Sequence, residues 1–162
     1  MIHIEKPIKL LKVPNDSAIE VEFIGEVQKF YYYLYCSNKI FYKEEDARTP
    51  KKGNSFLEQN FCFVLTNLDE IMLFQIPLPA FNEINRTGSY FNARYQIEKS
   101  GRGIQTRYGV MCVGGGRTSK ESKEIDNFLK ENSVEGVLNS YNLLYKKKNI
   151  IKVNRFDLMD LD

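Results

Sequence analysis

The sequence predicts an α+β fold that is predominantly β: an antiparallel sheet or OB-like barrel, followed by two C-terminal helices and a short final strand. Val, Ile, Phe and Tyr recur up to residue 113 in short runs between turn-forming residues, as they do in strands. Beyond residue 113 the apolar residues adopt helical spacing. A chain of 162 residues that is 43% hydrophobic is also long enough to bury one sizeable core.

Eight strands are predicted, each from a run of β-branched and aromatic residues. They span residues 4–13, 18–24, 27–36, 39–43, 60–65, 71–76, 89–98 and 103–113. Turn chemistry is supplied by residues 14–17 and by Ser37-Asn38. Residues 44–58, which include Pro50 and Gly53, are predicted to form a long mobile loop. The proline-containing stretch from residue 77 is predicted to be a second connection.

Two helices are predicted after the strands. Ile125 and Phe128 share a helical face, and a second run with helical spacing extends from residue 134 to residue 145. Thr118 and Ser133 are the predicted N-caps. The lysines at 146–148 are predicted to close the second helix, where its dipole favours cations.

The chain is predicted to be a single domain over residues 1–162. It divides into a β-rich part at 1–116, a helical part at 117–147, and a final strand with an acidic tail at 148–162. The strand itself is predicted at residues 149–154.

Composition excludes several classes of protein. A net charge of +2 with 27% charged residues is a globular balance, not that of a disordered chain or a polycation. No apolar run is long enough to span a bilayer, and the start lacks a basic segment followed by an apolar one, which predicts a cytoplasmic protein without a membrane partner.

Metal and nucleophile chemistry is not expected either. The only histidine is His3, and Cys36, Cys62 and Cys112 form no C-x-x-C pair. The cysteines are interpreted as reduced core residues. We therefore predict no catalytic residue, no metal and no cofactor, and we do not expect an enzyme.

Charge asymmetry is the clearest functional signal. The segment 86–120 contains seven cationic residues against one acid, a local charge of +6 in a chain whose total is +2. The cations are Arg86, Arg94, Lys99, Arg102, Arg107, Arg117 and Lys120.

Part of this segment is predicted to form a hairpin. Pairing residues 97 with 104, 95 with 106, 93 with 108 and 91 with 110 brings the apolar side chains together. Arg94 then stands opposite Arg107, which is unfavourable unless an anion such as a nucleic-acid backbone lies between them. Replacing both arginines with alanine is predicted to leave the fold intact and weaken polyanion binding. Alternatively, Glu98 or Glu83 neutralises an arginine on a solvated face.

Residues 113–120 follow that hairpin and are rich in glycine. Backbone N–H groups and a helix N-terminus at this point are able to hold a phosphate or carboxylate, with Arg117 and Lys120 nearby. The spacing is neither that of a P-loop nor that of a dinucleotide-binding loop. A tight strand-to-helix turn explains the glycines equally well.

A second predicted hairpin, around Ser37-Asn38, carries tyrosines. Tyr31, Tyr33 and Tyr35 share one face with Tyr42, and Tyr33 is predicted to lie opposite Tyr42. Such a row suits base stacking on single strands. It suits a sheet core as well, and the sequence does not decide which face is core.

Together these surfaces predict binding of single-stranded nucleic acid, most simply sequence-tolerant binding of DNA, by an arginine-lined, tyrosine-bearing sheet. The candidate binding residues are Tyr31, Tyr33, Tyr42, Tyr90, Arg94, Arg102, Arg107, Arg117 and Lys120. The Lys-, Asn-, Ile- and Tyr-rich composition suggests a protein encoded by a low-GC bacterium, its phages or its plasmids.

Two other functions stay open at this point. One is a protein-interaction or inhibitor module that docks on a host protein, because aromatics and arginine also dominate protein interfaces. The other is an enzyme or binder of a phosphate-containing small molecule at residues 114–120.

The acidic and apolar tail from Phe156 to Asp162 is a candidate contact for a protein partner. It is similar in character, over these seven residues, to the C-terminal tips of bacterial single-stranded DNA-binding proteins.

Overall fold

The computed structural model describes residues 2–43, 58–88, 90, 93–115 and 119–145. Within these residues, eight strands form one open mixed sheet, accompanied by three α-helices. The strands are β1 (Leu10–Leu11), β2 (Ser17–Phe23), β3 (Gln28–Tyr35), β4 (Asn38–Tyr42), β5 (Glu58–Thr66), β6 (Ile71–Ile76), β7 (Ala93–Ser100) and β8 (Arg107–Gly115). The helices are α1 (Leu78–Arg86), α2 (Ser119–Glu131) and α3 (Val134–Ser140). This confirms the predicted α+β, predominantly β class, and the described sheet shows no barrel closure.

Strand β5 lies at the centre of the sheet. One edge of β5 pairs with β6, and the other pairs with β3 near its start and with β2 near its end. The main order is β1-β6-β5-β2-β7-β8, and β4 extends the branch that begins at β3. The β1–β6 pair is parallel and the other strand pairs are antiparallel.

Both faces of β5 are buried, which explains its nearly continuous apolar sequence. Successive side chains of a strand point to opposite faces. Phe61 and Phe63 accordingly pack with α2 and α3 on one face, whereas Cys62 and Val64 pack with α1 on the other. The sheet is therefore covered on one face by α2 and α3 and on the other by α1.

Helix α1 was not predicted, because its first turn contains proline. Pro77 precedes the helix and Pro79 lies in its first turn, where the missing N–H is not needed. Ala80 and Ile84, four residues apart, are both buried against the sheet. The prediction that this stretch is only a connection is wrong.

The predicted N-cap of α3 is confirmed, and its predicted end is wrong. The hydroxyl of Ser133 accepts a hydrogen bond from the N–H of Gly136 at 3.0 Å. The helix ends early because Asn142 adopts a left-handed conformation (φ 58°) and the N–H of Leu143 donates to the carbonyl of Leu138. The chain then runs beside β4, where Leu144 bridges Phe41.

The first predicted strand is reduced to the two residues of β1. The bridge between His3 and Glu70 shows that the N-terminal segment already reaches the sheet edge upstream. Pro7 lies between these two contacts and has no N–H to donate to a ladder. The predicted loop at 44–58, except Glu58 of β5, and the predicted strand and tail after residue 145 lie outside the described residues.

The β3–β4 hairpin has a different turn from the predicted one. Cys36 and Ser37, both with positive φ, form a two-residue turn, so Tyr35 pairs with Asn38. Tyr42 consequently pairs with Tyr31, and Tyr33 with Ile40. The predicted Tyr33–Tyr42 pairing is wrong by two residues, although the shared tyrosine face is confirmed.

Candidate binding surface on the β7–β8 hairpin

The β7–β8 hairpin does not have the predicted register. Ile97 pairs with Val110 instead of residue 104, and Arg94 pairs with Gly114. The predicted pairing of Arg94 with Arg107 is therefore wrong, because Arg107 lies opposite Ser100.

A wider connecting loop causes the difference. Residues 101–106 contain a 3₁₀ turn, Gly103–Gln105, in place of the tight turn predicted at 99–103. Gly101 has φ 81°, and a Cβ there would lie 2.2 Å from the carbonyl oxygen of Gln105. This position therefore requires glycine.

Arg94 is paired with carboxylates from β2. Its guanidinium nitrogens lie 3.6 Å from a carboxylate oxygen of Glu20 and 3.7 Å from one of Glu22. Glu22 is completely buried. Because β7 pairs with β2, Arg94 lies beside acids that are distant in sequence. Its charge is therefore used in ion pairs within the sheet.

Two further cations of the segment 86–120 also have acidic neighbours. Arg86 forms an ion pair with Glu83 at 2.5 Å, and Arg102 forms one with Asp16 at 2.8 Å. Acids from outside the segment therefore lie beside three of its seven cations, so part of its local charge of +6 is offset in space. Of the nine candidate binding residues, Arg94 and Arg102 are thus already engaged.

Arg107 is an exposed cation of the segment 86–120 without an acidic partner among the described residues. Its guanidinium donates to the carbonyl of Thr106 at 3.1 Å, and it forms no ion pair with any described residue. Lys99, on the neighbouring strand, also lacks an ion pair within the described part of the chain. Both lie beside the loop at the tip of the hairpin.

The tip presents an apolar side chain that sequence reasoning missed. Ile104 is 99% exposed, between Arg102 and Arg107 in the chain. The predicted register placed it on the apolar face opposite Ile97. Its neighbours Gly101 and Gly103 were the available signal, because positive-φ glycines lift the loop away from the sheet.

The tyrosines are mostly part of the packed structure. Tyr33 and Tyr42 are buried, and burial, followed by the neighbouring Tyr31, raises the pKa of Tyr42. The hydroxyl of Tyr90 accepts a hydrogen bond from the N–H of Val27, and its ring packs edge-on against Phe23. Tyr31 alone of these four is a half-buried ring without such a hydrogen bond among the described contacts. Base stacking on this face is not available to Tyr33 and Tyr42 in the folded protein.

Two candidate residues cannot be placed. Arg117 lies outside the described residues, and of Lys120 only its position in α2 is described. Residues 116–118 of the glycine-rich segment 113–120, and the tail from Phe156 to Asp162, likewise lie outside the described residues.

The outer edge of β8 is the second exposed feature of the hairpin. Met111 is 56% exposed and Val113 is 39% exposed. The described structure exposes six large hydrophobic side chains. Three of them, Ile104, Met111 and Val113, belong to this hairpin. The hairpin is therefore the candidate binding surface of the described structure.

The prediction that all three cysteines are core residues is wrong for two of them. Cys62 is buried, but Cys36 lies exposed in the β3–β4 turn and Cys112 lies exposed on β8. All three are free thiols. Burial raises the pKa of Cys62 to about 12, so its thiolate is scarce at neutral pH.

We expect two of the three thiols to react with Ellman's reagent in the native protein at about pH 8, and Cys62 to react only after unfolding. The measurement is the absorbance increase before and after addition of guanidinium chloride. Cys62→Ala should keep both fast thiols and lose the slow one. Equal reaction rates for all three thiols would contradict the burial of Cys62.

The described residues give no sign of a metal centre or membrane span. No three His, Cys, Asp or Glu side chains in them come together as metal ligands would. None of the described helices has the length and apolar character needed to cross a bilayer.

No protein-family model matches the chain, and no curated protein or solved structure matches it. The candidate function therefore rests on the described surfaces of the chain, among which the β7–β8 hairpin carries the exposed Ile104, Met111 and Val113.

Proposed function

We propose that the protein binds single-stranded nucleic acid through the tip of the β7–β8 hairpin. The observation that carries this proposal is the fully exposed Ile104 between Arg102 and Arg107, in a loop shaped by glycine. Guanidinium groups suit phosphate oxygens, and an apolar wedge suits the face of an unstacked base. Contacts of this kind tolerate any sequence.

Arg102 remains usable despite its ion pair. Both it and Asp16 are exposed, and exposed pairs contribute only about 0 to 1 kcal/mol. A phosphate is therefore able to replace Asp16 as the partner of Arg102. The mechanism differs from the one predicted from sequence, because the buried tyrosines take no part and the hairpin tip replaces the sheet face.

Arg107→Ala is expected to weaken binding of labelled oligo-dT about fivefold at low salt. Loss of one phosphate contact should also reduce the slope of log affinity against log salt by about 0.7. Ile104→Ser is expected to weaken binding without changing that slope, because it removes an apolar contact. Fluorescence anisotropy measures both effects, with duplex DNA and single-stranded RNA as comparison ligands.

Arg86→Ala is the matched control. It removes the same charge from an exposed arginine on α1, away from the hairpin tip, and should leave affinity nearly unchanged. An equal loss for Arg86→Ala and Arg107→Ala would show that net charge alone attracts the oligonucleotide. Absence of binding at low salt would overturn the proposal.

Docking of a protein is the second candidate function, and the outer edge of β8 favours it. An edge strand with exposed Met111 and Val113 offers both backbone hydrogen bonds and apolar contacts to an extended partner strand. If the anisotropy assay shows no binding, this surface becomes the leading one.

A further inference from the structure

Strand β8 is the last of the described strands on its side of the sheet. It pairs with β7, and no described strand pairs with its outer edge. Its nine residues include a single charged one, Arg107, at the start. Protected edge strands carry inward-facing charges, prolines or very short lengths, and β8 has only a bulge opposite the Arg94–Tyr95 step. Before the bulge, residues 107–112 pair with β7 in an uninterrupted register.

This edge is complementary to itself. In an antiparallel sheet, directly opposite residues share a face, so a twofold axis at Val110 sets Val110 opposite Val110 of a second copy. Gly109 then faces Met111 of the second copy, and Tyr108 faces Cys112. Each large side chain meets a small one, and the central pair is β-branched.

Charge agrees with the same register. No two like charges are opposite each other, because Arg107 is the strand's only charged residue and falls beyond the five paired positions. Met111, 56% exposed in one copy, would cover the bare backbone of Gly109 in the other. Pairing also satisfies N–H and C=O groups that the edge otherwise presents to water.

We propose that two copies of the chain associate through β8, antiparallel and centred on Val110, so that their sheets become continuous. The occupant of the edge is a second copy because the strand matches its own sequence in size and charge. This inference stands apart from nucleic-acid binding, since the hairpin tips lie outside the paired residues and remain exposed.

Site-directed crosslinking tests the register. In a Cys36→Ser, Cys112→Ser background, Val110→Cys should form a disulfide-linked dimer under mild oxidation, because opposite Cα atoms lie about 4.5–5.5 Å apart. Val113→Cys is the matched control: it is an exposed valine on the same strand, offset from its own copy by six residues, or about 20 Å. Efficient crosslinking of both variants, or of neither, would overturn the register.

Paired charges test the association itself. Light scattering coupled to size exclusion should give the unsubstituted chain a mass near twice 18.9 kDa. Gly109→Lys/Met111→Lys sets lysines opposite each other and should give the single mass, whereas Gly109→Lys/Met111→Glu sets opposite charges together and should keep the double mass. Gly109 accepts a side chain, since a Cβ there meets only Glu98 at 3.9 Å.

Two results of the mass measurement would overturn the proposal. A single mass for the unsubstituted chain across micromolar concentrations overturns the proposal. So does a double mass for both lysine-containing variants, because the association would then involve another surface. Leu34→Lys/Leu68→Lys, which adds the same charge at two exposed leucines away from β8, should leave the double mass unchanged.

Discussion

Replacing Phe128 with alanine is expected to lower the free energy of unfolding by about 3 to 5 kcal/mol. Phe128 is 2% exposed, and its ring packs edge-on against that of Phe63, with centroids 5.0 Å apart. It belongs to the cluster through which α2 and α3 cover one face of β5. Alanine would leave a cavity and remove an aromatic pair worth about 0.5 to 1.5 kcal/mol beyond its buried area.

Urea unfolding followed by far-UV circular dichroism measures this loss. Phe128→Leu keeps most of the volume and should cost less than about half as much. Lys123→Ala, on the exposed side of α2, should change stability by no more than about 0.5 kcal/mol. A loss below about 1 kcal/mol for Phe128→Ala would mean that α2 contributes little to covering the sheet.

Strand positions could be predicted where the local sequence suffices. The run at 71–76 is bounded by acidic turn residues and by Pro77, and the structure has β6 at those bounds. The Ser133 cap was predictable for the same reason, since its hydroxyl bonds to a backbone N–H only three residues away. Signals of this kind need no knowledge of the rest of the chain.

Registers could not be predicted, because several alignments bury apolar side chains equally well. A shift by an even number of residues keeps every side chain on its face. The β3–β4 turn shows how small the deciding signal is: Cys36 and Ser37 adopt positive φ without the usual glycine or asparagine. At β7–β8 the longer loop at 101–106 sets the register. The alternation of apolar and polar residues alone had predicted that residue 97 pairs with residue 104.

The candidate site was predictable only in part. Arg102 was identified as a cation of the glycine-rich turn and Arg107 as the cross-strand neighbour of Arg94, and the structure places Arg102 in the connecting loop and Arg107 directly after it. The carboxylate beside Arg102 belongs to Asp16, which is distant in sequence, so the local charge around Arg102 did not follow from the segment. The exposure of Ile104 could not be predicted, because it depends on a register that was itself predicted wrongly.

Arg94→Ala is expected to lower the free energy of unfolding by about 3 kcal/mol, because it removes the cation beside the fully buried carboxylate of Glu22. This contradicts the sequence-based expectation that Arg94→Ala/Arg107→Ala leaves the fold intact. Arg107→Ala alone should change stability by no more than about 0.5 kcal/mol, since its side chain is exposed and forms no ion pair with a described residue. Thermal and urea unfolding of the two single variants separates these effects.

A double-mutant cycle with Glu22→Gln identifies the cause. Glutamine keeps the shape of the side chain and removes the charge, so Arg94→Ala in the Glu22→Gln background should cost less than about 1 kcal/mol. An equal cost in both backgrounds would show that Arg94 stabilises the sheet through Glu20 or through packing of its stem instead. In either case, weakened nucleic-acid binding by Arg94→Ala would report lost structure, which is why Arg107 and Ile104 are the positions that test the binding surface.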